Sequence, residues 1–375
     1  MSCEGYFYYH SIGQYPGKEA ELAAAMTEFA ALWAACDSDQ WGRMLEGRAE
    51  YLALWGQLLG VEAEEITAVE NVTQGFHAAL TGLPERHLKG RKLLIAADCF
   101  PSVHFLLAGL APRLGFELVT VPLREGESWV RDEDLLAAWD AQVGVAILTQ
   151  VTSTASYACD LPRLMAHGRE RGSLIGLDVT QAAGLLPFPA GDTRPDFAVS
   201  TSLKWLCGPP GAGALWMARE RIEESEPELR GWFSQPDPFN WDIARFSYAP
   251  DARRFDHGTP SIVSALAALP ALRWHARQDR AALRAHTHAL NEAVMEVARR
   301  HGLPFASPED GLRRGGSIML NLPDHLDPGA LVQGLRARGV IADTRGPVLR
   351  LSAGAVTTGA GVACLDEALT ALLAA

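Results

Sequence analysis

Ser173-Leu-Ile-Gly-Leu-Asp178 runs apolar at consecutive positions and stops on an acid. A half-exposed strand alternates apolar and polar residues, so an unbroken apolar run of strand length marks a strand buried on both faces, as in a parallel sheet. Val143-Gly-Val-Ala-Ile-Leu148 reads the same way. Further β-rich runs stand at Lys92 to Ala97, Leu118 to Val121, Phe197 to Thr201 and Gly213 to Met217, with helical stretches between them. This alternation predicts an α/β fold built on a wound, mostly parallel sheet.

On the N-terminal side, Leu22, Met26, Phe29 and Trp33 recur at spacings of three and four, and Tyr51, Leu54, Trp55 and Leu58 repeat the pattern. Two amphipathic helices are expected there. On the C-terminal side, a Pro-rich region (Gln235 to Pro260) precedes a long helical stretch, Ile262 to His301. Strands follow near Ser317–Leu322, Val340–Asp343 and Val348–Ser352, with a helix near Pro328–Arg338 and a closing helix from Ala363. A chain of 375 residues exceeds the size at which a single core keeps growing. The expected division is an N-terminal helical segment (1–60) packing on the small domain, a large α/β domain (61–260) and a small C-terminal α+β domain (261–375).

The composition is that of a globular protein, 48% hydrophobic and 21% charged. A net charge of −12 without a Lys/Arg run argues against nucleic-acid or anionic-membrane partners and for small-molecule chemistry. The six cysteines (Cys3, Cys36, Cys99, Cys159, Cys207, Cys364) are scattered, so neither a disulfide framework nor a metal site is expected. The N-terminus lacks the pattern of a signal peptide and no apolar run is long enough to span a bilayer, which places the expected location in the cytoplasm.

Wound sheets bind ligands at the carboxyl ends of their strands. Lys204 follows one such end, in Thr201-Ser-Leu-Lys-Trp-Leu-Cys-Gly-Pro-Pro-Gly211. An amine held in apolar surroundings loses basicity and becomes a usable nucleophile, although a lysine there can also snorkel to water. Asp178 ends its own strand, where it could pair with a protonated ring nitrogen or cap the next helix. Asn71-Val-Thr-Gln-Gly75 reads as a helix start, either a plain cap or a phosphate site. Phe100, in Asp98-Cys-Phe-Pro-Ser102, could stack on a flat ligand or fill core. Tyr8, His10, His104, His257 and Arg345 are weaker candidates for lining a pocket, and Tyr6 to Tyr9 for an aromatic entrance.

These segments, with Leu148-Thr-Gln-Val-Thr-Ser, Asp178-Val-Thr-Gln-Ala-Ala-Gly, Gly231-Trp-Phe-Ser, Arg254-Phe-Asp-His-Gly-Thr-Pro and Arg338-Gly-Val-Ile-Ala-Asp, resemble in order and spacing the class V aminotransferase group of pyridoxal-phosphate enzymes. Within it the chain is most similar to kynureninase. The resemblance implies a seven-stranded-type sheet and pyridoxal 5'-phosphate (PLP) as cofactor, joined to Lys204 as a Schiff base. It further implies Asp178 at the pyridine nitrogen, Phe100 on the ring, Thr73, Gln74 and Ser202 near the phosphate, and Gln181 at the phenolic oxygen. Trp232 and Thr259 match positions that complete the cofactor site from a partner subunit, so a homodimer is implied, with the active site at the subunit interface. Arg350 matches the arginine that grips the carboxylate of an α-amino-acid substrate, a task suited to a planar guanidinium.

Kynureninases carry a tyrosine, a histidine and an aspartate where this chain has Leu203, Gln181 and Val103. Two of these cannot supply the water activation or proton donation that Cβ–Cγ hydrolysis needs. The expected function is therefore a PLP-dependent, kynureninase-like hydrolase or lyase at the β-carbon, with an aminotransferase or a C–S lyase as the alternatives. No cysteine lies between Arg338 and Gly361, which disfavours cysteine desulfuration. A nicotinamide-dependent oxidoreductase is also disfavoured: Gly208-Pro-Pro-Gly-Ala-Gly precedes a strand-like run, not a helix. A non-catalytic protein on the same fold is the remaining rival.

Overall fold

The computed structural model describes residues 4–189 and 191–373; Cys3 lies outside them. Among the described residues ten strands form two sheets: β1 (Ile66–Val69), β2 (Lys92–Ala96), β3 (Glu117–Val121), β4 (Val143–Thr149), β5 (Leu174–Asp178), β6 (Phe197–Thr201), β7 (Gly213–Met217), β8 (Ile318–Asn321), β9 (Asp343–Arg345) and β10 (Val348–Leu351). The same residues form the α-helices α1 (Lys18–Trp33), α2 (Gln40–Leu59), α3 (Val72–Gly82), α4 (Pro101–Leu114), α5 (Asp132–Ala138), α6 (Leu161–Glu170), α7 (Arg219–Glu224), α8 (Ile262–Ala276), α9 (Arg280–Arg300), α10 (Pro328–Ala337) and α11 (Gly359–Leu373).

The large sheet has the order β1-β7-β6-β5-β4-β2-β3. Strands β2 to β6 pair in parallel, whereas β7 runs antiparallel to both β6 and β1. The continuous apolar runs have the expected cause: every residue of β5, β6 and β7 is buried. One face is covered by a cluster that includes Tyr51, Trp55, Trp139, Leu164 and Ala268. Phe76, Leu80, Val103 and Leu107, from α3 and α4, cover the other. The sheet is thus the middle of three layers.

The smaller sheet, β8-β10-β9, is antiparallel, and Val294, Leu335 and Leu365 from α9, α10 and α11 pack with Leu320 and Leu349 into its core. The N-terminal segment joins it first. Tyr6 and Tyr8 make single parallel bridges to Ile341 and Ser352, and Phe7 enters the small core.

Three local expectations are adjusted. The helical stretch from Ile262 to His301 breaks into α8 and α9, because the Asp279 side chain accepts the N–H groups of Ala281 and Ala282 and starts a new helix. The strand expected at Val340–Asp343 begins only at Asp343, since Ile341 is engaged by the N-terminal segment instead. The stripe of α1 buries no residue completely, leaving Met26 and Trp33 exposed, while α1 and α2 both pack on α8. The inner residues Tyr51 and Trp55 of α2, with Ala265, Ala268 and Leu269 of α8, belong to the core of the large sheet.

Candidate active site

At the carboxyl ends of β4, β5 and β6 a cavity of about 630 Å³ opens, lined among others by Thr73, Phe100, Thr149, Asp178, Gln181 and Lys204. Parallel strands bring these ends to one edge of the sheet, which is why residues far apart in sequence converge there.

Lys204 stands in the loop after β6. The loop is tight: Cys207 N–H donates to the Lys204 carbonyl at 2.9 Å, and Cys207 adopts a left-handed φ of 59°. Gly13 lies against it, donating to the Leu203 carbonyl at 2.9 Å; a Cβ on Gly13 would fall 1.8 Å from the Lys204 oxygen, so only glycine permits this approach. The lysine amine sits 5.5 Å from the centre of the Phe100 ring. Burial depresses its pKa from 10.5 to about 8, partly opposed by the charge of Asp178 and reinforced by Arg345 and Arg350. Asp178 is buried, and one of its oxygens accepts the Thr180 N–H at 2.9 Å.

Helix α3 aims its N-terminus at the same cavity. Asn71 caps it by accepting the Gln74 N–H at 3.0 Å, and Gly75 lets it press on β6, where a Cβ would come within 2.4 Å of Val199. The backbone N–H of Gln74, expected to hold a phosphate, is thus taken by the cap. Its side chain turns away as well, approaching His257 Nε2 at 3.2 Å. Gln74, His257 and Thr259 line a separate cavity of about 360 Å³. Ser202 is fully buried with an unpartnered hydroxyl that lies beneath Gly208, outside the lining of the larger cavity.

Gln181 is fixed at both ends of its amide: Nε2 donates to the His10 carbonyl and Oε1 accepts from the Trp205 indole, each at 3.1 Å. Arg350 lies outside the cavity lining, with its Nε and Nη2 held by the two oxygens of Asp343. Trp232 stacks on Trp241 with ring centres 6.0 Å apart and meets Trp41 edge-on, also away from Lys204. Of the weaker candidates, Arg345 reaches Ser153 in the cavity wall at 3.3 Å, whereas His104 pairs with Thr120. In the Tyr6 to Tyr9 run, Phe7 and Tyr9 are buried, Tyr9 stacking on Trp205, while Tyr6 and Tyr8 are half-buried and none of the four lines the cavity. Thr149, Thr180 and Thr201 line the cavity without having been singled out in the sequence; their positions at strand ends were the available signal.

The profile of the aminotransferase class-V family matches residues 50–348. The chain belongs to the aminotransferase class-V family. A kynureninase of Deinococcus radiodurans is 29% identical over 354 residues, covering 90% of this chain and 82% of the relative. Two solved structures share the class-V fold with a TM-score of 0.87. One is the cystine C–S lyase C-DES with its product cysteine persulfide, 20% identical and covering 98% of each chain. The other is a C-DES mutant with glycine covalently linked to its PLP cofactor, 19% identical and covering 98% of this chain and 97% of that one. The class-V chain is an enzyme, of a family whose members use PLP.

The cavity meets the demands of that cofactor. Thr180 Oγ1 and Thr201 Oγ1 are buried in its lining without partners. Two orphaned hydroxyls in a cavity that a helix N-terminus also lines call for a ligand rich in acceptor oxygens. Phe100 offers a flat apolar face and Asp178 an acceptor at the strand end.

Proposed function

We propose that this class-V protein is a PLP-dependent enzyme acting at the β-carbon of an α-amino acid, with Lys204 as the residue that carries the cofactor. The observation that supports this most directly is the Lys204 amine, whose pKa burial lowers to about 8, in the same cavity as Asp178. At neutral pH roughly one such amine in ten is unprotonated, against fewer than about one in a thousand at the ordinary lysine value. In this reading the N–H groups of Val72 and Thr73 and the hydroxyls of Thr73 and Thr201 hold the phosphate, with Ser202 behind them. Asp178 would accept the ring N–H, Phe100 would cover the ring, and the remaining N–H of Gln181 would serve the phenolic oxygen. Bound PLP supplies an electron sink for the substrate α-carbon. With the cofactor bound, Lys204 Nζ would be the base that takes the substrate α-proton. Arg350 keeps Nη1 free while Asp343 holds its other two nitrogens, and Nη1 takes the substrate carboxylate.

The walls favour elimination over hydrolysis. Leu203 and Val103 both line the cavity, at the places where kynureninases carry a tyrosine and an aspartate. Neither can activate water or donate a proton, so the β-substituent departs as a group stable without protonation, such as a thiolate. The protein is further proposed to work in the cytoplasm as a homodimer, with Trp232 and Thr259 serving the neighbouring subunit's site.

The cofactor test is direct. Protein purified with PLP should be yellow and Lys204→Ala should not retain the colour against dialysis; a colourless wild type that ignores added PLP rejects the reading. The reaction test is ammonia release: elimination from a β-substituted amino acid yields ammonia and a 2-oxo acid without a second keto acid, whereas transamination yields no ammonia.

A further inference from the structure

His10 reaches both sides of the site from a segment that no cofactor contact explains. It is buried, with 2% of its surface exposed, and both ring nitrogens and its carbonyl are engaged. Nε2 lies 2.8 Å from Asp343 Oδ1, and Nδ1 lies 2.6 Å from Ser352 Oγ. A carboxylate accepts, so Nε2 carries the proton and Nδ1 accepts from the Ser352 hydroxyl. Ser352 in turn lies 2.7 Å from Ser317 Oγ. The neutral ring is the form burial favours, and the charges of Arg350 and Lys204 also oppose a proton there, against the pull of Asp343.

Asp343 is the partner that orients Arg350. Burial pushes its carboxyl upward, but hydrogen bonds from His10 and Arg350 outweigh this and hold it below the usual range. Register explains the meeting: Arg350 on β10 stands directly opposite Asp343 on β9, so both side chains share one face of the small sheet. With Oδ1 shared between His10 Nε2 and Arg350 Nε, the carboxylate cannot rotate without breaking both bonds. Meanwhile the His10 carbonyl holds Gln181 Nε2 at 3.1 Å, and three residues on, Gly13 touches the Lys204 loop.

We propose that His10 is a positioning residue for substrate binding: its side chain fixes Asp343, Asp343 fixes Arg350, and Arg350 is thereby aimed at the carboxylate of the amino acid. This rests on the proposed PLP-dependent reading, and it makes the N-terminal segment part of the active site. Few side chains fit the place. The position demands a donor and an acceptor on opposite sides of one group; asparagine has both on a shorter reach, while alanine has neither.

The test uses PLP-loaded protein titrated with L-alanine and with L-alaninamide, which lacks the carboxylate, followed by the absorbance of the bound cofactor. Wild type should bind the acid more tightly than the amide. In His10→Ala that preference should fall on the order of ten-fold, through weaker binding of the acid with the amide unchanged. Asp343→Asn should do the same, the double variant should lose no more than either alone, and His10→Asn should recover part of the preference. A preference left intact in His10→Ala, equal losses for acid and amide, or additive losses in the double variant would overturn the proposal. Failure of every variant and of wild type to bind PLP would instead count against the cofactor reading itself.

Discussion

At the scale of single residues, the chemistry turns on how one amine is kept both buried and usable. Lys204 lies beside an aromatic ring and near an acid, so burial lowers its basicity while Asp178 limits the fall. A lowered lysine pKa means the neutral, nucleophilic form gains as pH rises through about 8. The rate at which apoprotein captures PLP should therefore climb with pH up to that region and flatten above it. Stopped-flow absorbance checks this; a rate still rising steeply well above pH 9 would point to an unperturbed lysine. Asp178→Asn should keep the fold and the covalent link yet lose on the order of a hundred-fold in turnover, because a neutral amide cannot hold a proton on the ring nitrogen. Not all of this was legible in the sequence. Lys204, Asp178, Phe100, Thr73 and Gln181 come together because each follows or flanks the carboxyl end of a strand, and strand ends can be read from apolar runs. Gln74 and Arg350 could not be placed that way, since their directions are set by long-range partners, His257 and Asp343, that no local pattern announces.

At the scale of elements, α3 links sheet packing to ligand binding. Gly75 allows the helix to lie on Val199 of β6, and Asn71 closes its first turn. Asn71→Ala should cost about 1 kcal/mol of stability. Gly75→Val should cost about 1–3 kcal/mol by forcing the helix off the strand, and should weaken PLP binding further than Asn71→Ala does. Chemical denaturation and cofactor titration read the two effects separately; unchanged PLP affinity in both variants would remove α3 from the phosphate site. The strands were the most readable elements because burial on both faces leaves an unmixed apolar signal. The split between α8 and α9 was less so. Helical periodicity persists through both, and only the capping action of Asp279 marks the break.

At the scale of the whole molecule, the surface carries an apolar region that one chain does not cover. Trp33 meets Trp41, Trp41 meets Trp232, and Trp232 stacks on Trp241, with Phe239, Trp241 and Ile243 exposed. Contiguous exposed apolar surface of this kind marks an interaction site, and in the proposed homodimer it is covered by the second subunit. Sedimentation should give a dimer, and the surface variant Trp241→Asp/Ile243→Asp should shift it to monomer with weakened PLP retention. A wild-type monomer, or a double variant still dimeric, would contradict that arrangement. Among the described residues no helix is long and apolar enough to cross a membrane.

That Lys204 carries the cofactor can be measured without a known substrate. PLP-loaded protein is reduced with borohydride, digested, and mapped by mass spectrometry. The cofactor mass should appear on the peptide that contains Lys204 and on no other lysine. A label on a different lysine, or no covalent label from protein that has bound PLP, would contradict it.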